Sequence, residues 1–126
     1  MIGCTSLSAL PRLRSYRSCR ASSWDRDGNN NDWWVLEPGS ERVLLETDRP
    51  GCIKHIWMTV GNDDEFPRRL VLRAWWDGEA SPSVEVPLGD FFGIGHGLFK
   101  NFICAPLQMS PQDGRGMNSW FAMPYD

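Results

Sequence analysis

From residue 42 onward the chain alternates short apolar runs with polar, glycine- and proline-bearing breaks, a pattern that predicts strands. "RVLLE" at 42–46 is the first run, and "TDRPG" at 47–51 ends it with a Pro-Gly turn signal. "CIKHIWMTV" at 52–60 is rich in β-branched and aromatic residues and predicts one largely buried strand, broken by "GNDDEFP" at 61–67. In "RRLVLRAWW" at 68–76, Leu70, Leu72, Ala74 and Trp76 share one strand face, while Val71, Arg73 and Trp75 share the other. Asp77-Gly78 supplies a hairpin-type turn, after which Val84, Val86 and Leu88 alternate with the outward Glu85. No helical periodicity extends over ten residues; the one candidate helix, near residues 6–16, is opposed by Pro11. The fold class predicted is all-β, an antiparallel sandwich or barrel. Roughly five or six strands are legible where a closed sandwich commonly has seven or eight, so the sequence predicts an incomplete domain.

Composition narrows this picture. At 126 residues and 14.4 kDa the chain has room for one domain or part of one. The net charge of −3 is unevenly spread, with four arginines and no acid in residues 1–24 and all sixteen acidic side chains after them. An acidic body disfavours nucleic acid as a partner. The N-terminal residues lack the apolar run of a secretory signal, and no segment reaches membrane-spanning length, so a cytoplasmic protein without a membrane partner is expected. Cys4, Cys19, Cys52 and Cys104 are scattered, with no C-x-x-C pair and only His55 and His96 as companions. Free thiols are expected, with no metal site and no cofactor.

Candidate chemistry gathers in a few places. "FFGIGHG" at 91–97 surrounds His96 with three glycines, which permit close approach of the main chain to a ligand. The same segment reads equally as a sandwich loop with a solvated histidine. No helix-opening phosphate loop and no G-x-S-x-G elbow occurs. His55, in mid-strand, reads as a hydrogen-bonded structural histidine. Asp63, Asp64 and Glu65 lack calcium-loop spacing and read as a solvated turn. Seven tryptophans are abundant for this length. Their flat faces suit sugar rings while Asp and Asn hold hydroxyls, yet Trp57 and one of Trp75 and Trp76 are expected simply to fill the core.

The stretch "RASSWDRDGNNNDWW" at 20–34 concentrates tryptophan, acids and amides. Extended to "RSCRASSWDRDGNNNDWW" and followed by "GCIKHIWMTV", "LRAWWDGEASPSVEVPLGDFFGIGHG" and "GRGMNSWFAMPY", in that order, it resembles the family called domain of unknown function 2961, which overlaps glycoside hydrolase family 172. The resemblance runs over roughly residues 17–125. It implies the first jelly roll of a double jelly-roll protein, with residues 1–16 an extension and 17–126 a partial jelly-roll domain. It further implies trimers or hexamers and activity on α-fructofuranosides or arabinofuranosides. Two glutamates would do the bond-breaking, and the resemblance puts both after the matched region. The binding residues it suggests are Trp24, Asp25, Asn31, Asp32, Asp90, His96, Arg115 and Asn118, with Trp packed on the furanose ring. The alternative is a non-catalytic carbohydrate-binding or structural jelly-roll module.

Overall fold

The computed structural model describes residues 11–61 and 63–126. They fall into two compact units, one ending at Thr47 and the other spanning Asp48–Asp126. In the first, no helix or strand forms among the described residues, and the chain runs through turns such as those closed by Gly28 N–H to Asp25 O and Ser40 N–H to Glu37 O. The strand predicted at 42–46 is not formed. Val43, Leu44 and Leu45 are all exposed, and three adjacent apolar residues do not define a buried face unless a neighbouring strand selects one. The helix weighed for residues 6–16 is absent from 11–16, and residues 6–10 lie outside the described residues.

The second unit is an antiparallel β-sandwich, all-β as predicted, with eight short strands among its described residues. A four-stranded sheet carries β2 (Ile56–Met58), β7 (Met117–Ser119), β6 (Leu107–Met109) and β5 (Phe102–Ile103) in that order. β3 (Val71–Ala74) pairs with β4 (Val84–Pro87), and β1 (Gly51–Ile53) with β8 (Met123–Tyr125). Two single-turn helices, α1 (Phe66–Arg69) and α2 (Leu88–Phe91), pack on one another beside the β3–β4 pair.

Alternation behaves as the sequence predicts in β3 and β4. Leu72 and Ala74 turn inward, Val71 and Arg73 outward, and Arg73 Nε donates to Glu85 Oε2 across the pair at 2.9 Å. The turn at Asp77-Gly78 has positive φ at both residues (50° and 78°), the backbone such a dipeptide tolerates. Glu79 closes it, accepting from Trp76 N–H and Ser83 Oγ–H.

Segment 52–60 departs from expectation. It forms two strands in different sheets, because β1 pairs with β8 whereas β2 pairs with β7; Lys54 and His55 make the crossing. The tryptophan expected in the core, Trp57, is 61 % exposed. Its neighbours Ile56 and Met58 are the inward residues, and in an all-apolar Ile-Trp-Met run only the partner strand decides which face is buried. Of the other pair, Trp76 packs on Tyr125 at 6.3 Å between ring centroids while Trp75 is exposed.

The core lies between the inner face of the four-stranded sheet, the β3–β4 pair and the two helices. Phe66, Leu88, Phe92, Ile94, Leu107, Met109 and Met117 are buried there, lined by Ile56, Met58 and Leu72. Cys19, Cys52 and Cys104 are free thiols, and Cys4 lies outside the described residues. Among the described residues no helix is long and apolar enough to cross a membrane.

Candidate functional site

The glycine-rich loop is positioned by its apolar residues. Leu88 and Phe92 of the α2 region and Ile94 beyond it are buried, and Ile94 N–H bonds back to Gly89 O at 2.6 Å. The chain is pinned at those points. What lies between and after them, Asp90 and then His96 at the tight turn closed by Gly97 N–H to Ile94 O, is turned outward. In α1, Phe66 and Pro67 face the core, so Arg68 and Arg69 project from the last turn.

These two outward sets meet. Arg68 Nη1 donates to Asp90 Oδ1 and lies 3.4 Å from Gly95 O, tying α1 to the loop. Arg69 pairs with Glu65 and with Asp63. An open groove of about 250 Å³ results, lined by Asp64, Glu65, Arg68, Arg69 and His96. Asp64 also receives Arg115 Nη2 at 2.8 Å, and the Arg115 guanidinium lies 4.5 Å from the centroid of Phe99. The acidic run lies in a largely exposed turn, as read, and its carboxylates are ion-paired there. Among the described residues no group of three or more metal-ligating side chains forms.

Three of the sequence-suggested residues therefore adjoin the groove, His96 in its lining, Asp90 through Arg68 and Arg115 through Asp64. Asn118 does not join them. It stands on β7 with its side chain on the sheet face opposite Met117 and Ser119, where its Oδ1 meets His55 Nε2 at 3.0 Å and its Nδ2 donates to Gln108 O.

Trp24, Asp25, Asn31 and Asp32 belong to the other unit and form a cluster there. Asp25 Oδ1 accepts from Asp27 N–H at 2.9 Å, and Oδ2 accepts from Asn29 and Asn31 N–H at 2.9 and 3.1 Å. Asp32 returns the tie by accepting Asp25 N–H at 2.7 Å. The Asp27 N–H, followed by those of Asn31 and Asn29, holds the Asp25 carboxyl below its ordinary value. Asp25 is therefore a fixed anion whose oxygens organise their own loop. Trp24 is 47 % exposed, and the Arg26 guanidinium lies 4.7 Å from its ring centroid.

Sequence reasoning missed Arg68 and Asp64, which connect the groove. Their only advance signal was opposite charge three or four positions apart in "DDEFPRR". It also placed Trp57 inside and gave no role to Trp120, which stacks on His55 at 4.9 Å and 13°.

A family model described as the GH172 first beta-sandwich domain matches residues 14–126. No curated protein matches the chain.

Proposed function

Since the chain belongs to the GH172 family as its first β-sandwich domain, we propose that it is the sugar-holding part of a glycoside hydrolase acting on furanosides of the α-fructofuranoside or arabinofuranoside type. The observation that carries this reading is the groove between α1 and the glycine-rich loop. At about 250 Å³ it has room for a sugar ring. Carboxylates and guanidinium groups both line it. That is the arrangement that vicinal hydroxyls need, each being donor and acceptor at once. His96 adds an imidazole to the lining.

Asp64, Glu65 and Asp90 are each tied to an arginine, which fixes their oxygens as hydroxyl acceptors. A retaining glycosidase needs two carboxyl groups about 5–5.5 Å apart, one of them a proton donor. In this reading those groups are glutamates outside these 126 residues. Isothermal titration of the chain with methyl arabinofuranoside and methyl fructofuranoside tests the groove. Asp90→Asn is expected to weaken binding by about tenfold, the effect of losing one charge-assisted hydrogen bond, and His96→Ala by about threefold or more, the effect of losing one ordinary hydrogen bond. Equal affinity in both variants, or turnover of either glycoside by the chain alone, overturns the assignment.

The same ion pairing favours a second reading, a non-catalytic carbohydrate-binding or structural jelly-roll module. It is distinguished by the full gene product, which binds furanosides without cleaving them if the second reading holds. Exposed Val71 and Leu98 support assembly into a trimer or hexamer, measured by light scattering. The acidic charge balance supports a protein with neither nucleic acid nor membrane as partner, and a cytoplasmic location is part of the same proposal.

A further inference from the structure

The groove leaves the outer face of the four-stranded sheet without a role. Period-two alternation sends Met58, Met117 and Met109 inward and places Trp57, Asn118, Gln108 and Ile103 in one outward row across β2, β7, β6 and β5. One register step away stand His55, just before β2, and Trp120, just after β7 and held by its N–H to Pro106 O at 2.8 Å. Their rings stack, and His55 bonds Asn118, which bonds the Gln108 carbonyl. Trp57 is 61 % exposed and Trp120 is 44 % exposed.

We propose that this face is a second carbohydrate surface, one that takes an extended, uncharged polysaccharide rather than a single ring. The inference rests on the sugar-binding reading of the protein and adds a separate platform to it. Three points carry it. Indole planes sit beside side-chain amides and an imidazole, so apolar ring faces and hydroxyls are both accommodated. The row contains no Asp, Glu, Lys or Arg, so nothing in it selects an ionic partner; a nucleic acid would need cations there. Strands lie about 4.8 Å apart, so the four-strand row spans about 14 Å, the reach of a short oligosaccharide. A buried protein interface would instead concentrate apolar residues at its centre, where this row has Asn118 and Gln108.

Affinity gel electrophoresis of the 126-residue chain in debranched arabinan and in inulin tests the proposal. Retardation is expected in at least one polymer, with Trp57→Ala weakening it tenfold or more and Gln108→Ala threefold or more. Trp75→Ala, an exposed tryptophan off this face, is expected to match the wild type. Circular dichroism checks that each variant is folded. No retardation of the wild type, or retardation unchanged in both Trp57→Ala and Gln108→Ala, overturns the proposal. So does a concentration-dependent self-association, without polymer, that Trp57→Ala abolishes, because the face is then an interface between copies. Titration with monosaccharide reports separately on the groove, so either reading can fail while the other stands.

Discussion

Gly89→Ala is the most direct probe of how packing creates the groove. Gly89 lies in α2 one residue before Asp90, and a Cβ added there would stand 2.5 Å from Pro67 Cβ, 3.0 Å from Pro67 O and 3.1 Å from Pro67 Cα. Carbon atoms pack at about 3.5–4.0 Å, so the shortfall is about 1 Å. Pro67 has nowhere to retreat, being fully buried beside Phe66. The helices must separate instead, and such overpacking costs about 1–3 kcal/mol. Alanine recovers about 0.5–1 kcal/mol of backbone entropy, the lower end applying in a helix of one turn. A net loss of about 0.5–2.5 kcal/mol follows, and at about 4–8 °C per kcal/mol for a unit of this size the Tm falls by about 2–20 °C. Because Arg68 follows Pro67 and Asp90 follows Gly89, the same separation loosens the Arg68–Asp90 pair, and furanoside affinity is expected to fall with it. Thermal circular dichroism and titration calorimetry measure the two effects. Gly95→Ala is the control, since its Cβ would meet nothing nearer than Asp90 Oδ1 at 4.0 Å, and its effect is expected within about 0.5 kcal/mol. A Gly89→Ala Tm within about 2 °C of wild type would refute the close α1–α2 contact.

Phe92→Ala removes a fully buried ring from a core with few large side chains and is expected to cost about 3–5 kcal/mol, seen as loss of a cooperative urea transition. Gly78→Ala places a side chain at φ 78° in the β3–β4 turn; a loss of about 1–2 kcal/mol is expected by thermal melt, and no loss would show that the turn relaxes freely. The Asp25 loop is expected to be acid-sensitive. The folded carboxyl is held below its unfolded value, so the stabilisation is complete above the unfolded value and is lost as pH falls through the folded one. Amide shifts of Asp27, Asn29 and Asn31 followed by NMR should titrate with a midpoint below about 3.9, and Asp25→Asn should remove the titration. A midpoint at or above that value contradicts the hydrogen-bonded hub.

What the sequence made legible was whatever a single strand or turn decides for itself. Leu72 and Ala74 against Val71 and Arg73 needed only the strand period, and Asp77-Gly78 needed only its own backbone preferences. The division of 52–60 into two strands was not local: it depends on Pro124 claiming Cys52 and Asn118 claiming Trp57, partners more than sixty positions away. The outward aim of Trp57 followed from the same pairing. The site divides along the same line. His96 stood out because glycines flank it and Asp90 through the family resemblance, whereas Arg68 acquires its place only when α1 packs on α2 and meets an aspartate twenty-two positions later. The loop at 25–32 showed its residues but not their direction, since nothing in "DRDGNNND" says that the first carboxylate will turn back on its own backbone.

The two faces of the four-stranded sheet are coupled through register. Met58, Met117 and Met109 fill the core because the residues between them in the pleat, Trp57, Asn118 and Gln108, face out; a slip of one residue in β7 would exchange the sets, burying Asn118 and exposing Met117. The connection between β6 and β7 resists that slip. Ser110 N–H bonds Gly116 O at 2.9 Å and Gly116 N–H bonds Pro111 O at 3.3 Å, closing the turn on both sides. A Cβ on Gly116 would lie 2.4 Å from Ser110 O, so the turn is tight enough to require glycine at that position. Holding register there keeps the methionine core and the tryptophan-amide row on their own sides. The exposed face is thus specified by the same contacts that stabilise the fold, and its polar centre is maintained by the cost of burying Asn118 away from His55 and Gln108.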